Sequence, residues 1–133
     1  MVEKIVYDYL KDKFNTYMER PTKPPQEYII IEKTNGGVEN MTEYATITIQ
    51  SYATTLFNAA KLNEDVCDEM DMIVNETDVM RCSLNANYNY TDASTKEYRY
   101  QAIFNIKMFT YFSCIFNYKA LINSCFYIII TKS

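Results

Sequence analysis

The sequence predicts an α+β domain: an antiparallel or mixed β-sheet with one long hairpin, packed against two helices over about residues 2–14 and 54–74. Three patterns carry the prediction. From Tyr44 to Tyr52 the hydrophobic period is two, with Ala45, Ile47, Ile49 and Ser51 on one side and Thr46, Thr48 and Gln50 on the other. From about Thr54 the period becomes helical, and Leu56, Ala59, Leu62, Val66, Met70 and Ile73 form one stripe opposite Lys61, Glu64, Asp68 and Asp71. From Val79 onward strict alternation returns for two long runs joined by a short polar loop, which reads as a hairpin.

Taken in order, Val2, Val6, Tyr9 and Leu10 share a helical stripe, so residues 2–14 read as a short amphipathic helix. Tyr17 to Glu19 suits a brief strand. The segment Pro21-Thr22-Lys23-Pro24-Pro25-Gln26 reads as a stiff connector, because proline lacks an amide donor and holds the preceding residue extended. Tyr28 to Lys33 is a β-rich apolar run. Thr34-Asn35-Gly36-Gly37 then predicts a turn using positive φ, with a loop continuing to about Thr42. In the hairpin, Met80, Cys82, Leu84, Ala86, Tyr88 and Tyr90 are expected on one face and Arg81, Ser83, Asn85, Asn87 and Asn89 on the other. Its second strand alternates Tyr98, Tyr100, Ala102, Phe104 and Ile106 with Arg99, Gln101 and Asn105.

At 133 residues the chain is long enough for one domain with a real core, expected over residues 1–107. Residues 108–133 form an apolar C-terminal extension rich in Phe, Tyr, Ile, Asn and Cys. Its run Phe126-Tyr127-Ile128-Ile129-Ile130 is a β-aggregation hazard if exposed. Asn117, Lys119 and Asn123 in its middle argue against a membrane span, since a charge at that depth is costly.

Composition narrows the chemistry. The chain has no histidine, which removes the usual general base, the usual zinc ligand and the Ser-His and Cys-His nucleophile pairs. Its two glycines, Gly36 and Gly37, are adjacent and build no spaced-glycine phosphate loop. Cys67, Cys82, Cys114 and Cys125 lie far apart with no C-x-x-C pair, so they read as small hydrophobes in a reducing compartment. No secretory signal is visible near Met1, and the sequons at Asn40, Asn75 and Asn89 are expected by chance in an Asn-rich chain. Neither catalysis, cofactor nor metal is expected.

The net charge of −4 is unevenly placed: residues 1–97 carry all 17 acids and nine bases, residues 98–133 four bases and no acid. An acidic body of that kind argues against sequence-specific nucleic-acid binding. The acidic cluster Glu64, Asp65, Asp68, Glu69 and Asp71 reads as a solvated helix face, with no calcium-loop pattern beside it. The hairpin's polar face is different, because it carries amides where lysine and glutamate are commoner. Uncharged amides suit a surface that a partner covers, although an ordinary solvated face would look similar. Asn85, Asn87, Arg99 and Gln101 are therefore the candidate contact residues on the hairpin. Asn35, Gly36 and Gly37 in the predicted loop, and Phe57 on the polar face of the long helix, join them.

Several segments in order carry a family likeness. They are the short N-terminal helix, Tyr17-Met18-Glu19-Arg20-Pro21, Tyr28-Ile29-Ile30-Ile31-Glu32, the strand Ala45-Thr46-Ile47-Thr48-Ile49-Gln50-Ser51-Tyr52-Ala53 running straight into a helix, and Arg99-Tyr100-Gln101-Ala102. Over residues 1–107 this pattern resembles the tail terminator (tail completion) proteins of long-tailed bacteriophages, and the stretch after Met108 departs from their usual ending. The resemblance implies a structural protein of the virion without an active site, which assembles in the host cytoplasm. It implies a homo-oligomeric ring, typically a hexamer, that caps the tail tube protein at the head-proximal end and offers a surface to the head–tail connector protein. Two other readings stay open: another head–tail connector component, and a small-ligand-binding domain or divergent enzyme using Tyr and Asp or Glu.

Overall fold

The alternating run after the first turn forms the centre of the molecule. In the computed structural model, which describes residues 1–109, Thr42–Ala53 is the middle strand (β3) of a five-stranded sheet. Helix α1 (Val2–Leu10) precedes the two-residue strand β1 (Thr16–Tyr17) and the strand β2 (Tyr28–Glu39). After β3 come α2 (Leu56–Asp71), a single turn α3 (Ile73–Glu76), β4 (Val79–Asn89) and β5 (Tyr98–Phe109). The spatial order is β1-β2-β3-β5-β4; β1 runs parallel to β2 and every other pair is antiparallel. The fold is thus the expected α+β class with a mixed sheet. Strand β5 runs two residues past 107, and the rest of the expected C-terminal extension lies outside the described residues.

The fully buried large aliphatic side chains collect on one side of the sheet. Ile29, Ile31, Ile47, Ile49, Ala102, Phe104 and Ile106 meet Val2, Val6 and Leu10 of α1 and Leu62, Val66 and Met70 of α2 in one core, and Ala59 of α2 is buried as well. Helix α2 starts where the sequence changes period. Thr55 is its N-cap, in extended conformation, and its hydroxyl accepts the Asn58 N–H at 3.1 Å. Leu56 was expected in the buried stripe but is 41% exposed, because it opens the helix just beyond the end of β3. The predicted helix to residue 74 is interrupted at Met72 (φ −95°, ψ −6°) before α3 resumes. Helix α1 is shorter than predicted and closes by α-turn bonds, Lys11 N–H to the Tyr7 oxygen and Phe14 N–H to the Leu10 oxygen.

The turn expected at Thr34–Gly37 is not there. Strand β2 continues to Glu39, and Asn35, Gly36 and Gly37 pair with Thr46, Ala45 and Tyr44 after a bulge between Lys33 and Asn35. The reversal falls on Asn40 and Met41, with φ of 51° and 64°. Two successive left-handed residues match the twist of the flanking strands, and asparagine tolerates that region better than most residues. Neither glycine has positive φ. Gly37 is needed for space: a Cβ there would lie 2.5 Å from Tyr44 Oη and 2.7 Å from its Cζ.

The alternation of β4 also differs from its sequence pattern. Bulges between Val79 and Arg81 and between Leu84 and Ala86 each insert one residue into the ladder with β5. Cys82 and Leu84 oppose Ile106 and Phe104 on the helix side, as expected for one face. Beyond the second bulge the parity inverts, so Asn87 opposes core Ala102 while Ala86 and Tyr88 oppose Ile103 and Gln101 on the other side. The continuous amide face predicted for this hairpin is therefore split between two faces. Among the described residues no helix is long and apolar enough to cross a membrane.

Candidate functional site

Around the start of β5 the face of the sheet turned away from α1 and α2 carries tyrosines, glutamines and Arg99 where the other face carries aliphatics. Register dictates the row: Tyr28, Tyr52 and Arg99 lie side by side across β2, β3 and β5, and Ile30, Gln50, Gln101 and Tyr88 make the next. Tyr28 and Tyr52 stack with ring centroids 4.7 Å apart and planes 1° from parallel, and Tyr17 stands edge-on to Tyr28 at 6.0 Å. Tyr52 Oη donates to Gln50 Oε1 at 2.8 Å, Gln50 Nε2 donates to Gln101 Oε1 at 3.0 Å, and Gln101 Nε2 donates to Tyr88 Oη.

Arg99 closes this chain of bonds. Its Nε donates to the Tyr90 carbonyl at 2.7 Å and its Nη1 to Tyr52 Oη at 3.1 Å, with the guanidinium 4.5 Å from the Tyr90 ring centroid. A planar, fixed cation of this kind holds the end of the hairpin onto β3. Burial raises the Tyr28 pKa above its usual value, so its hydroxyl stays neutral in this setting.

The residues proposed from sequence thus fall in several places. Arg99 and Gln101 belong to the tyrosine network. Asn87 lies on the helix side, where its Oδ1 accepts Asn63 Nδ2 at 2.6 Å and ties β4 to α2. Asn85 is the exposed residue within the second bulge. Asn35 and Gly36 are exposed in β2, with the Gly36 N–H donating to Asn35 Oδ1 at 2.9 Å, and Gly37 is half-buried beside them. Phe57 is 76% exposed in the first turn of α2, far along the chain from both groups.

Sequence reasoning missed the edge that β4 makes. Among the described residues this strand borders the sheet, and it carries a single charged residue, Arg81, in the 11 residues Val79–Asn89. Met80, Leu84 and Tyr88 on it are exposed. The signal was present in the composition of residues 79–90, but assigning an edge requires the strand order.

The remaining chemistry is quiet. Cys67 and Cys82 lie half-buried where α2 faces β4, and burial first, then nearby acids, lifts both thiols to about 11. They are protonated at neutral pH and poor nucleophiles or metal ligands in that form. No group of three His, Cys, Asp or Glu side chains among the described residues is placed to hold a metal ion. An open cleft of about 290 Å³ lies between the end of α1 and the start of β2, lined in part by Lys11, Phe14, Glu27 and Tyr28. No protein-family model matches the chain, and no curated protein matches it.

Proposed function

We propose that this chain is a tail terminator of a long-tailed bacteriophage. In this reading it closes as a ring, a hexamer, on the head-proximal end of the tail tube, stops tube growth and presents a surface to the head–tail connector. It is a structural protein of the virion, assembled in the host cytoplasm, with no active site, cofactor or metal. The family pattern in the sequence motivates the reading, and the β4 edge is the observation that carries it. A solitary soluble domain normally blunts such an edge with lysines, prolines, bulges or a covering segment. Here an 11-residue edge strand has one charge and exposes Met80, Leu84 and Tyr88. Its two bulges bend it without adding charge. That combination suits a strand that is covered on assembly.

The test is tube growth. Added in small amounts to its own polymerising tail tube protein, the chain is expected to bind tube ends and shorten the tubes. Leu84→Lys, which places a charge in the middle of the edge, is expected to fold normally and let the tubes grow. Tubes that lengthen unchanged beside the unmodified protein, with no end-bound density in electron micrographs, overturn the proposal.

A further inference from the structure

We infer that copies of this chain join head to tail through their sheets, the β4 edge of one copy lying antiparallel against the outer edge of β2, residues Glu32–Glu39, of the next. The inference rests on the ring reading above and names the contact that would make the ring. Four features of the sheet converge on it.

The first is a second open edge. Strand β1 covers β2 only at Ile29 and Ile30. From Glu32 to Glu39 no strand lies beside β2 among the described residues, and apart from half-buried Gly37 every residue there is exposed, Val38 by 65%.

The second is polarity. Strands β2 and β3, β3 and β5, and β5 and β4 are all antiparallel, so β4 runs opposite to β2. A copy generated by rotation about an axis along the strands therefore brings its β2 against β4 as an antiparallel neighbour, the more stable kind of pairing. Repetition of that step is a heterologous contact, and it closes into a ring when the rotation divides the circle. Two β4 edges meeting by a two-fold axis would end growth at a dimer.

The third is height. Asn35, Thr46, Asn105 and Ser83 form one row across the sheet, and Gly37, Tyr44, Lys107 and Arg81 form another. The uncovered part of β2 thus stands level with Val79–Ala86 of β4. Asn35 and Ser83 lie on the same face, so level pairing keeps the helix layers of neighbouring copies on one side.

The fourth is charge. Arg81 sits directly opposite Lys107, a like-charge pair with no acidic partner among the described residues. Such pairs are unfavourable in an isolated sheet. In level register Arg81 faces Gly37 of the next copy and reaches Glu39 diagonally on the same face. Glu39 likewise has no basic partner among the described residues.

The experiment combines a charge exchange with hydrogen exchange on the full chain. Sedimentation over rising concentration is expected to show that Arg81→Glu and Glu39→Lys each weaken self-association roughly tenfold, and that the double variant restores it; Arg81→Lys serves as the folded control. Amides of Glu32–Glu39 and Val79–Ala86 are expected to gain protection together as the protein associates. Protection confined to β4, absence of self-association at every concentration, or charge reversals without effect overturns the contact. Tube capping is read separately. Capping that survives both reversals sinks this contact and leaves the terminator reading, whereas edge-dependent association without capping does the opposite.

Discussion

The two faces of the sheet are held by different forces. On the helix side Ile29, Ile31, Ile47, Ile49, Phe104 and Ile106 are all essentially inaccessible, and the packing is mainly apolar. On the other side Tyr28, Tyr52 and Gln101 are also buried, but they are buried by one another, through ring stacking and a bond chain from Tyr52 through Gln50 and Gln101 to Tyr88. Hydrophobic burial needs no direction, so the first face tolerates approximate geometry. A hydrogen-bonded network depends on register, and it rewards a sheet whose strands cannot slip. One face supplies stability and the other fixes alignment, which suits the edge contact proposed above.

The largest effect expected on this comparison comes from the apolar face. Leu62, buried in the middle of α2, packs into the core. Leu62→Ala is expected to cost about 2–5 kcal/mol of unfolding free energy, measured by urea denaturation. A loss near zero would mean that the helix layer is not what holds this sheet.

The next test sits where the two faces exchange. Asn85 and Asn87 have the same residue type and the same parity in sequence, but the bulge between Leu84 and Ala86 separates their roles. Asn63 is 2% exposed, and its amide nitrogen has Asn87 Oδ1 as its partner. Asn87→Ala leaves that buried amide without it and is expected to cost about 1–3 kcal/mol. Asn85→Ala, at an exposed bulge, is expected to stay within about 0.5 kcal/mol of the unmodified protein. Equal effects from both substitutions would remove the inversion of β4 that the comparison of faces relies on.

That pair also marks how far the sequence could be read. The strand at Thr42–Ala53 and the helix after it were legible because their periods, two and then 3.6, run without interruption over whole elements. The stripe Ala59, Leu62, Val66, Met70 and Ile73 was legible for the same reason and is buried. Bulges have no such mark. One inserted residue at Asn85 moved Asn87 to the opposite face from where alternation put it. The hairpin turn was misplaced because Gly36 and Gly37 advertise positive φ, whereas one of them serves to admit the Tyr44 ring and the left-handed residues are Asn40 and Met41. The tyrosine network was hidden because it joins β2, β3, β4 and β5, and a single sequence does not reveal strand order.

The smallest effect expected is a pH dependence that reads the helix side before the other. Cys67 and Cys82 both sit where α2 faces β4, and burial followed by neighbouring acids lifts their thiols from 9.0 to about 11. Between those values the unfolded chain has lost these protons and the folded chain still holds them. The unfolded state then binds fewer protons, so stability falls as pH rises. The contribution is complete below pH 9 and is lost as pH climbs through about 11. Tyr9, held between α1 and α2 with its Oη donating to the Glu69 carbonyl at 2.9 Å, adds a second decline. Burial first, then Glu76 and Glu69, raises it from 10.0 to about 12, so its loss begins later. Tyr28 on the opposite face is raised in the same direction, again chiefly by burial. No described cysteine belongs to the tyrosine network, so among the described residues the decline that begins just above pH 9 is assigned to the α2–β4 contact. Urea midpoints measured across that interval are expected to fall gradually for the unmodified protein. The double variant Cys67→Ala, Cys82→Ala is expected to hold its midpoint until the tyrosines begin to ionise. An identical early decline in the double variant would place the alkaline sensitivity outside these two thiols, and the α2–β4 contact would no longer be the first to yield.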